Sequence, residues 1–484
     1  MAGQCAQALD RARLHAVEHE VAEVLQHSLL PRDLPRLARL AATSRYLAGS
    51  ADTQAGGDWY DLIPVDDHRV AVAVGDVVGH GPGAAAVMGQ LRSALAAYLL
   101  DGHGPAAALE RLDRFAARIP GAQGSTCVCV TLDWLSGELR HARAGHLPVL
   151  LVGPEGARYA EEGAGTVLAV VGRPPFIEGS TTITPGTSVV LYTDGLVERR
   201  HEVVDEGLAR LAAAAERHRG ADPDALADGV VADVLGASSR PDDVALVVVR
   251  LVPPPLALTL PAEPASLRLL RRAITAWAAA AGLPAAAVDD LQLATGEAAA
   301  NAAEHAYPDT PGTFDTTLRR VASGEIAVRV RDRGRWRPVP ADPGFRGRGL
   351  QVIRAIGHDV RVSTDSGGTE VVFRMPVTTR PTVGAVAPVP AVDLGGPIVV
   401  VTGDLDLSTV DGVRARLAAA IERGGRVVVD LRGVRHVSSA GVRLLAEAAD
   451  QAPQLSVIAR GLSAVARVLR LTGVDDLVAV RLDP

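Results

Sequence analysis

At 484 residues the chain exceeds what one hydrophobic core organises, and its 48% hydrophobic and 22% charged residues describe globular material for about three domains. A net charge of -7 excludes general affinity for nucleic acid or an anionic membrane. Among the 49 lysine-plus-arginine residues none is lysine, so a P-loop lysine is excluded as well.

Residues 1–35 carry apolar positions at helical spacing until Pro31 and predict a lead-in helix, a coiled-coil or packing surface. The N-terminus has no basic segment leading into an apolar one, and no apolar run approaches the ~20 residues a membrane helix needs, so a cytoplasmic protein is expected. Residues 36–252 interleave β-branched runs such as "RVAVAVGDVV" and "DVALVVVRLV" with alanine-rich helical stretches, a mixed α/β domain with buried strands. Within it Cys127 and Cys129 sit in "TCVCVTL", on one face of a strand, as buried free thiols. After Pro253–Pro255 a second α/β unit covers 256–376. A proline- and glycine-rich linker follows at 377–395, and a strand–helix alternation at 396–484 implies a layered sheet.

Four acidic motifs run through the first domain: "GGDWYD", "VGDVVGHG", "YTDGLVE" and "RPDDVALVVV". One Asp-Gly at a strand end is ordinarily a turn. Four carboxylate motifs converging from strand ends would repel one another unless cations neutralise them, and hard oxygen donors suit Mg²⁺ or Mn²⁺. Two such ions can activate a water for in-line attack on phosphorus, with no covalent nucleophile.

In order and wording these motifs, with "AGHLPVLL", resemble the SpoIIE/RsbU group of metal-dependent serine/threonine phosphatases of the 2C class, whose fold is a β-sandwich flanked by helices. The resemblance implies that Asp76 bridges two Mn²⁺ or Mg²⁺ ions, that Asp194 and Asp242 complete one site, and that the Val77 carbonyl and Asp58 serve the other. Asp243 is a weaker ligand candidate that orients its neighbour, and His80 is a turn residue or an acid for the leaving group.

In the second unit, "LQLATGEAAANAAEHAY" places Glu297 and Asn301 on one helical face. "VRVRDRG" ends a strand with Asp332 and Gly334, and "RGRGLQVI" opens a helix with glycines that let amides approach an anion. These features resemble the GHKL ATPase fold, an α/β sandwich, in its anti-sigma-factor kinase form. The resemblance implies ATP with Mg²⁺: Asn301 on the metal, Asp332 and Gly334 with Thr369 at the adenine end, Gly347, Gly349 and Leu350 on phosphates, and Glu297 as the base toward an acceptor serine. Arg335 stands where many relatives have a second glycine.

The third unit resembles the small α/β STAS domain of anti-sigma-factor antagonists, in "GDLDLSTV" and in "VVVDLRGVRHVSSAGVRLL". In that family the phosphorylated residue lies two before the turn glycine, which here is Ser439; Ser438 stands where relatives often have aspartate. Read locally, the same serines are N-cap candidates for the helix that follows.

The chain is therefore expected to be a multidomain α/β and α+β partner-switching regulator of sigma-factor activity, joining phosphoserine phosphatase, serine kinase and phosphoacceptor. Its expected partners are a phosphorylated STAS antagonist or its own STAS domain, and an anti-sigma kinase or a sigma factor, with no nucleic acid or membrane. Two alternatives compete: a phosphatase whose other units are docking modules, and a non-enzymatic sequestration scaffold. Oligomeric state, a homodimer included, stays open.

Overall fold

A computed structural model of the protein describes residues 29–31, 33–49, 56–199, 201–236, 242–307, 310–321, 323–335, 348–377, 396–461 and 463–483. The expected lead-in helix up to residue 28, Gly347 and residues 378–395 of the expected linker lie outside the described residues. The chain divides into two compact units, the first reaching Pro253 and including Ala279–Gly282, the second comprising Pro254–Ala278 and Leu283–Pro484.

The first unit runs β1 (Leu40–Leu47), β2 (Trp59–Pro64), β3 (Arg69–Asp76), α1 (Pro82–Leu100), α2 (Pro105–Ala116), β4 (Thr126–Asp133), β5 (Glu138–Ala144), β6 (Val149–Gly153), β7 (Gly156–Ala160), β8 (Ala164–Gly165), β9 (Gly179–Thr182), β10 (Ser188–Tyr192), α3 (Val204–His218), α4 (Pro223–Leu235) and β11 (Val244–Leu251). Its strands form two sheets, β1-β11-β10-β6-β7 and β2-β3-β4-β5-β8, with β9 on β5. Side-chain parity explains the layering. In β11, Ala245, Val247, Val249 and Leu251 face a core shared with the other sheet and with α1 and α2. The alternate residues Val244, Leu246 and Val248 pack with α3 and α4 in a second core. A strand buried on both faces reads as the continuous "VALVVV" run seen in the sequence. Cys127 and Cys129 are buried and free, as expected, and burial pushes both thiols up.

The second unit runs β12 (Leu256–Pro261), α5 (Pro264–Ala281), α6 (Ala285–Asn301), β13 (Thr313–Arg320), β14 (Ile326–Asp332), α7 (Arg348–Ile356), β15 (His358–Asp365), β16 (Gly368–Met375), β17 (Ile398–Leu405), α8 (Val410–Glu422), β18 (Val428–Val437), α9 (Ser439–Gln451), β19 (Ser456–Arg460), α10 (Ala464–Leu471) and β20 (Ala479–Asp483). Its first sheet, β12-β13-β14-β16-β15, is antiparallel. The strict alternation of burial along β13 shows one face turned to the core. The second sheet, β17-β18-β19-β20, is parallel throughout, which requires the crossover helices α8, α9 and α10. Among the described residues no helix is long and apolar enough to cross a membrane.

Candidate active sites

Strand register gathers the acidic motifs. Trp59 pairs with Gly75 across β2–β3, so Asp58 and Asp76 flank the same strand ends. Across β10–β11 Tyr192 pairs with Leu246, which brings Asp194 and the Asp242–Asp243 pair to a common end. Ligand oxygens of Asp58, Asp76 and Asp194 lie within 4.8 Å of one another. Asp242 is exposed and stands outside that trio, although its charge acts on both Asp76 and Asp194.

The electrostatics are those of an anion cluster in need of a cation. Burial, then the charge of Asp76, drives the Asp58 carboxyl well above its usual range. Burial followed by Asp194 and Asp242 pushes Asp76 up to about 7, and burial followed by Asp242 pushes Asp194 up to about 6. Asp58 Oδ2 is buried with no hydrogen-bond partner among the described residues. An orphaned carboxylate oxygen facing two further carboxylates fits a hard divalent ion. The Val77 amide donates to the Gly57 carbonyl at 3.2 Å, and a Cβ on Gly57 would stand 2.2 Å from the Val77 carbonyl oxygen. Only glycine permits that approach beside Asp58.

Asp243 has a different task from its neighbours. Its Oδ1 accepts from the Gly49 amide at 2.8 Å and its Oδ2 from the Gly56 amide at 3.0 Å and from the Tyr46 hydroxyl. It ties down the segment leading into Asp58, a positioning role that sequence reading only touched.

Sequence reasoning missed a second support. His146, in "AGHLPVLL", is buried with Nδ1 at 2.7 Å from Thr126 Oγ1 and Nε2 at 3.1 Å from the Tyr192 carbonyl. A carbonyl only accepts, so Nε2 carries the proton and Nδ1 accepts from the threonine. The ring thereby links β4 to the end of β10, two residues before Asp194. Burial pushes its pKa down to about 4 from the ordinary 6.5. The neutral ring's contribution is complete above pH 6.5 and lost as pH falls through 4, worth about 3 kcal/mol. Urea unfolding of His146→Gln between pH 7.5 and 4 is expected to show lower stability at pH 7.5 and a shallower acid loss than wild type.

The expected nucleotide residues also converge. Asp332 is buried, and its Oδ1 accepts from the amides of Thr369 at 3.2 Å and Gly334 at 3.1 Å, which fixes the carboxylate. Glu297 lies on α6, and Asn301 ends it where the helix widens into a π turn over Ala302–Ala306; such turns recur at functional sites. Gly349, in the first turn of α7, lies so close that a Cβ there would stand 2.6 Å from Glu297 Oε2 and 3.6 Å from Asn301 Nδ2. The positive end of a helix thus faces the two polar residues. Leu350, half-buried, follows in the same turn.

Within the second unit Glu297 also meets the expected acceptor. Its Oε1 accepts from the Ser439 amide at 2.8 Å. Burial raises the Glu297 pKa, with the contact to Ser439 opposing. Ser438 is the N-cap of α9, but its side chain makes no capping bond. A carboxylate from α6 therefore satisfies the amide of the first residue of α9. Charged contacts surround this one: Arg271 pairs with Asp406 and, at 3.1 Å, with Asp404; Arg443 pairs with Glu304 at 3.3 Å; Arg467 pairs with Asp290 at 2.5 Å.

The carboxylate cluster at the rim of a helix-flanked double sandwich defines the first unit as a metal-dependent phosphatase fold. Sequence comparison gives the family. Three family models match in order: Stage II sporulation protein E (SpoIIE) over residues 66–252, Histidine kinase-like ATPase domain over 260–375, and Mlab, STAS domain over 392–479. The chain belongs to the SpoIIE-type phosphatase family and carries a histidine kinase-like ATPase domain and a STAS domain after it. It is 33% identical to the crystallised RsbU and RsbW domains of Rv1364c from Mycobacterium tuberculosis, a match covering 72% of this chain and 97% of that one with a TM-score of 0.45. It is 26% identical over 215 residues to Protein IcfG of Synechocystis sp., covering 39% of this chain and 33% of the relative. To Phosphoserine phosphatase RsbP of Bacillus subtilis it is 23% identical over 154 residues, covering 31% and 38% respectively. The chain thus spans about a third of the length of these two curated relatives.

Proposed function

We propose that the chain is a phosphorylation switch holding writer, eraser and target together: a metal-dependent phosphoserine phosphatase, an ATP-dependent serine kinase, and Ser439 as their common substrate. The observation that carries this reading is the Glu297–Ser439 contact. A buried carboxylate of raised pKa that accepts from the amide of Ser439 stands beside the hydroxyl of that serine, toward which it would serve as general base. Asn301 and the start of α7 would hold ATP with Mg²⁺ beside it, with Asp332, Gly334 and Thr369 at the base end and Gly347, Gly349 and Leu350 toward the phosphates.

In the first unit Asp58, Asp76 and Asp194 with the Val77 carbonyl would hold Mn²⁺ or Mg²⁺, with Asp242 at the outer side. Ions held there supply an activated water and neutralise phosphoryl oxygens. The chain's own contribution is to gather the carboxylates and to fix their approach through Asp243 and His146.

Phosphate on Ser439 adds about -1.5 to -2 charge. Placed against the buried Glu297, it is repelled and releases the STAS domain from the kinase-like domain. The freed surfaces then suit the partners of a sigma-factor switch: a separate STAS antagonist, an anti-sigma kinase or a sigma factor. Incubation with labelled ATP and Mg²⁺ is expected to label Asp76→Ala strongly, wild type weakly and Ser439→Ala not at all. Absence of label in Asp76→Ala would refute the kinase half, and equal label in wild type would refute the phosphatase half.

A further inference from the structure

Beside the Glu297–Ser439 contact, and within the same compact unit, lies a cleft of ≈ 650 Å³ between α5 and α6 on one side and β18 and β19 on the other. Its lining is strongly basic in a chain of net charge -7. Arg268, Arg271 and Arg272 enter from the kinase-like domain, and Arg432, Arg435 and Arg460 from the STAS domain. Among the described residues of the lining, Asp289 and Asp404 alone oppose them.

Two of these arginines are committed elsewhere. Arg271 is held by Asp404 and Asp406, and Arg432 by Asp430 and Asp483. Arg268, Arg272 and Arg460 make no guanidinium hydrogen bond or ion pair among the described residues, and Arg435, with a side chain 83% exposed, reaches Asp404 only at 4.0 Å. Arg268 and Arg272 are four apart on α5 and so share a face. Like-charged guanidinium groups gathered around a cleft repel one another, and docking of the two domains brings them together at a cost that an anion between them removes. The volume falls in the range of about 300–1,000 Å³ typical of small-ligand sites. Three uncommitted forks distributed over two domains, with the loosely paired Arg435 as a fourth, match a ligand with separated anionic groups, since each planar fork grips a phosphate bidentately.

We infer that this cleft binds a small molecule carrying two or more phosphate groups, which bridges the kinase-like and STAS domains and favours their docked arrangement. By reciprocity, whatever the ligand adds to docking, docking adds to its affinity. Release of the STAS domain would dismantle the site and discharge the ligand. Cellular levels of such a molecule would then bias how much of the chain presents Ser439 to Glu297, an input separate from the catalytic sites. The inference rests on the docked arrangement used in the proposed function, but not on phosphoryl transfer.

Inorganic triphosphate is the probe. Calorimetric titration of the full chain, with saturating ADP and Mg²⁺ filling the nucleotide site, is expected to show saturable binding. Arg272→Ser and Arg460→Ser, one from each domain, are each expected to weaken it about tenfold, the scale of one lost charge-assisted contact. Arg319→Ser, an exposed arginine on β13, serves as the control and is expected to bind as wild type does. No saturable binding, or an affinity unchanged by either cleft substitution, overturns the inference. Ser439→Ala, which cannot accept phosphate, is expected to bind the probe normally. Failure of Ser439 labelling therefore leaves this measurement intact, and loss of probe binding with labelling intact overturns the cleft alone.

Discussion

Replacing Glu297 with glutamine is expected to slow phosphate incorporation into Ser439 by about 10²- to 10⁴-fold, the range a positioned general base contributes. The substitution keeps size and the oxygen that accepts from the Ser439 amide, and it removes only the basic site. Glu297 is 1% exposed, so the lost basicity is not replaced by bulk water. Docking therefore survives while chemistry does not. Single-turnover labelling gives the rate, and hydrogen exchange at the Ser439 amide reports the contact. A slow rate with a protected amide is the expected pair of results. Loss of protection together with rate would make Glu297 a clamp rather than a base, and an unchanged rate would remove it from the mechanism.

Asp76→Asn is expected to cut dephosphorylation of Ser439 by at least about 10²- to 10³-fold, the usual loss when a preorganised charged group is deleted. It also carries a stability signature of opposite sign. Because burial and the charges of Asp194 and Asp242 push Asp76 up to about 7, the metal-free fold binds that proton more tightly than the unfolded chain does. Its stability accordingly falls as pH rises from the ordinary 3.8 through 7. Asparagine carries no charge to repel its neighbours, so metal-free Asp76→Asn is expected to unfold at higher temperature than wild type at pH 8. Added Mn²⁺ should then stabilise wild type much more than the variant. A variant less stable without metal, yet equally stabilised by it, would remove Asp76 from the metal site.

Much of this was legible in the sequence because the informative residues are local. A strand-end aspartate beside glycine is visible in a few letters, and the antiparallel register then brings such ends together. The serine pair before α9 was legible too, but its local reading as a cap was incomplete: Ser438 occupies the N-cap without capping, and the amide of Ser439 is met by a residue 142 positions away. Long-range partners left no such trace. Tyr46 reaches Asp243 across 197 positions and Arg271 reaches Asp406 across 135, and nothing around either arginine or tyrosine announces a carboxylate. His146 was inside a recognised motif, yet its service to Thr126 and Tyr192 follows only from the packing of β4 against β10's end.

The docked arrangement also has a kinetic consequence. A flexible linker of the kind expected before the STAS domain spans about 25 Å, which permits an acceptor to reach its own kinase-like domain or that of another copy. The ion pairs around Ser439 join residues of one chain, with Arg271 and Asp406 both buried. Removing one partner of such a pair leaves the other charge buried and unpaired, a loss of typically about 3–5 kcal/mol, so Arg271→Ala is expected to weaken docking and slow the labelling of Ser439.

The most direct test is the rate at which the full-length Asp76→Ala chain labels Ser439 from ATP, followed over a hundredfold range of protein concentration with the modified residue mapped by mass spectrometry. Label on Ser439 is expected, with a first-order rate constant that does not change with concentration. Label on another residue, or a rate constant that rises in proportion to concentration, would contradict it.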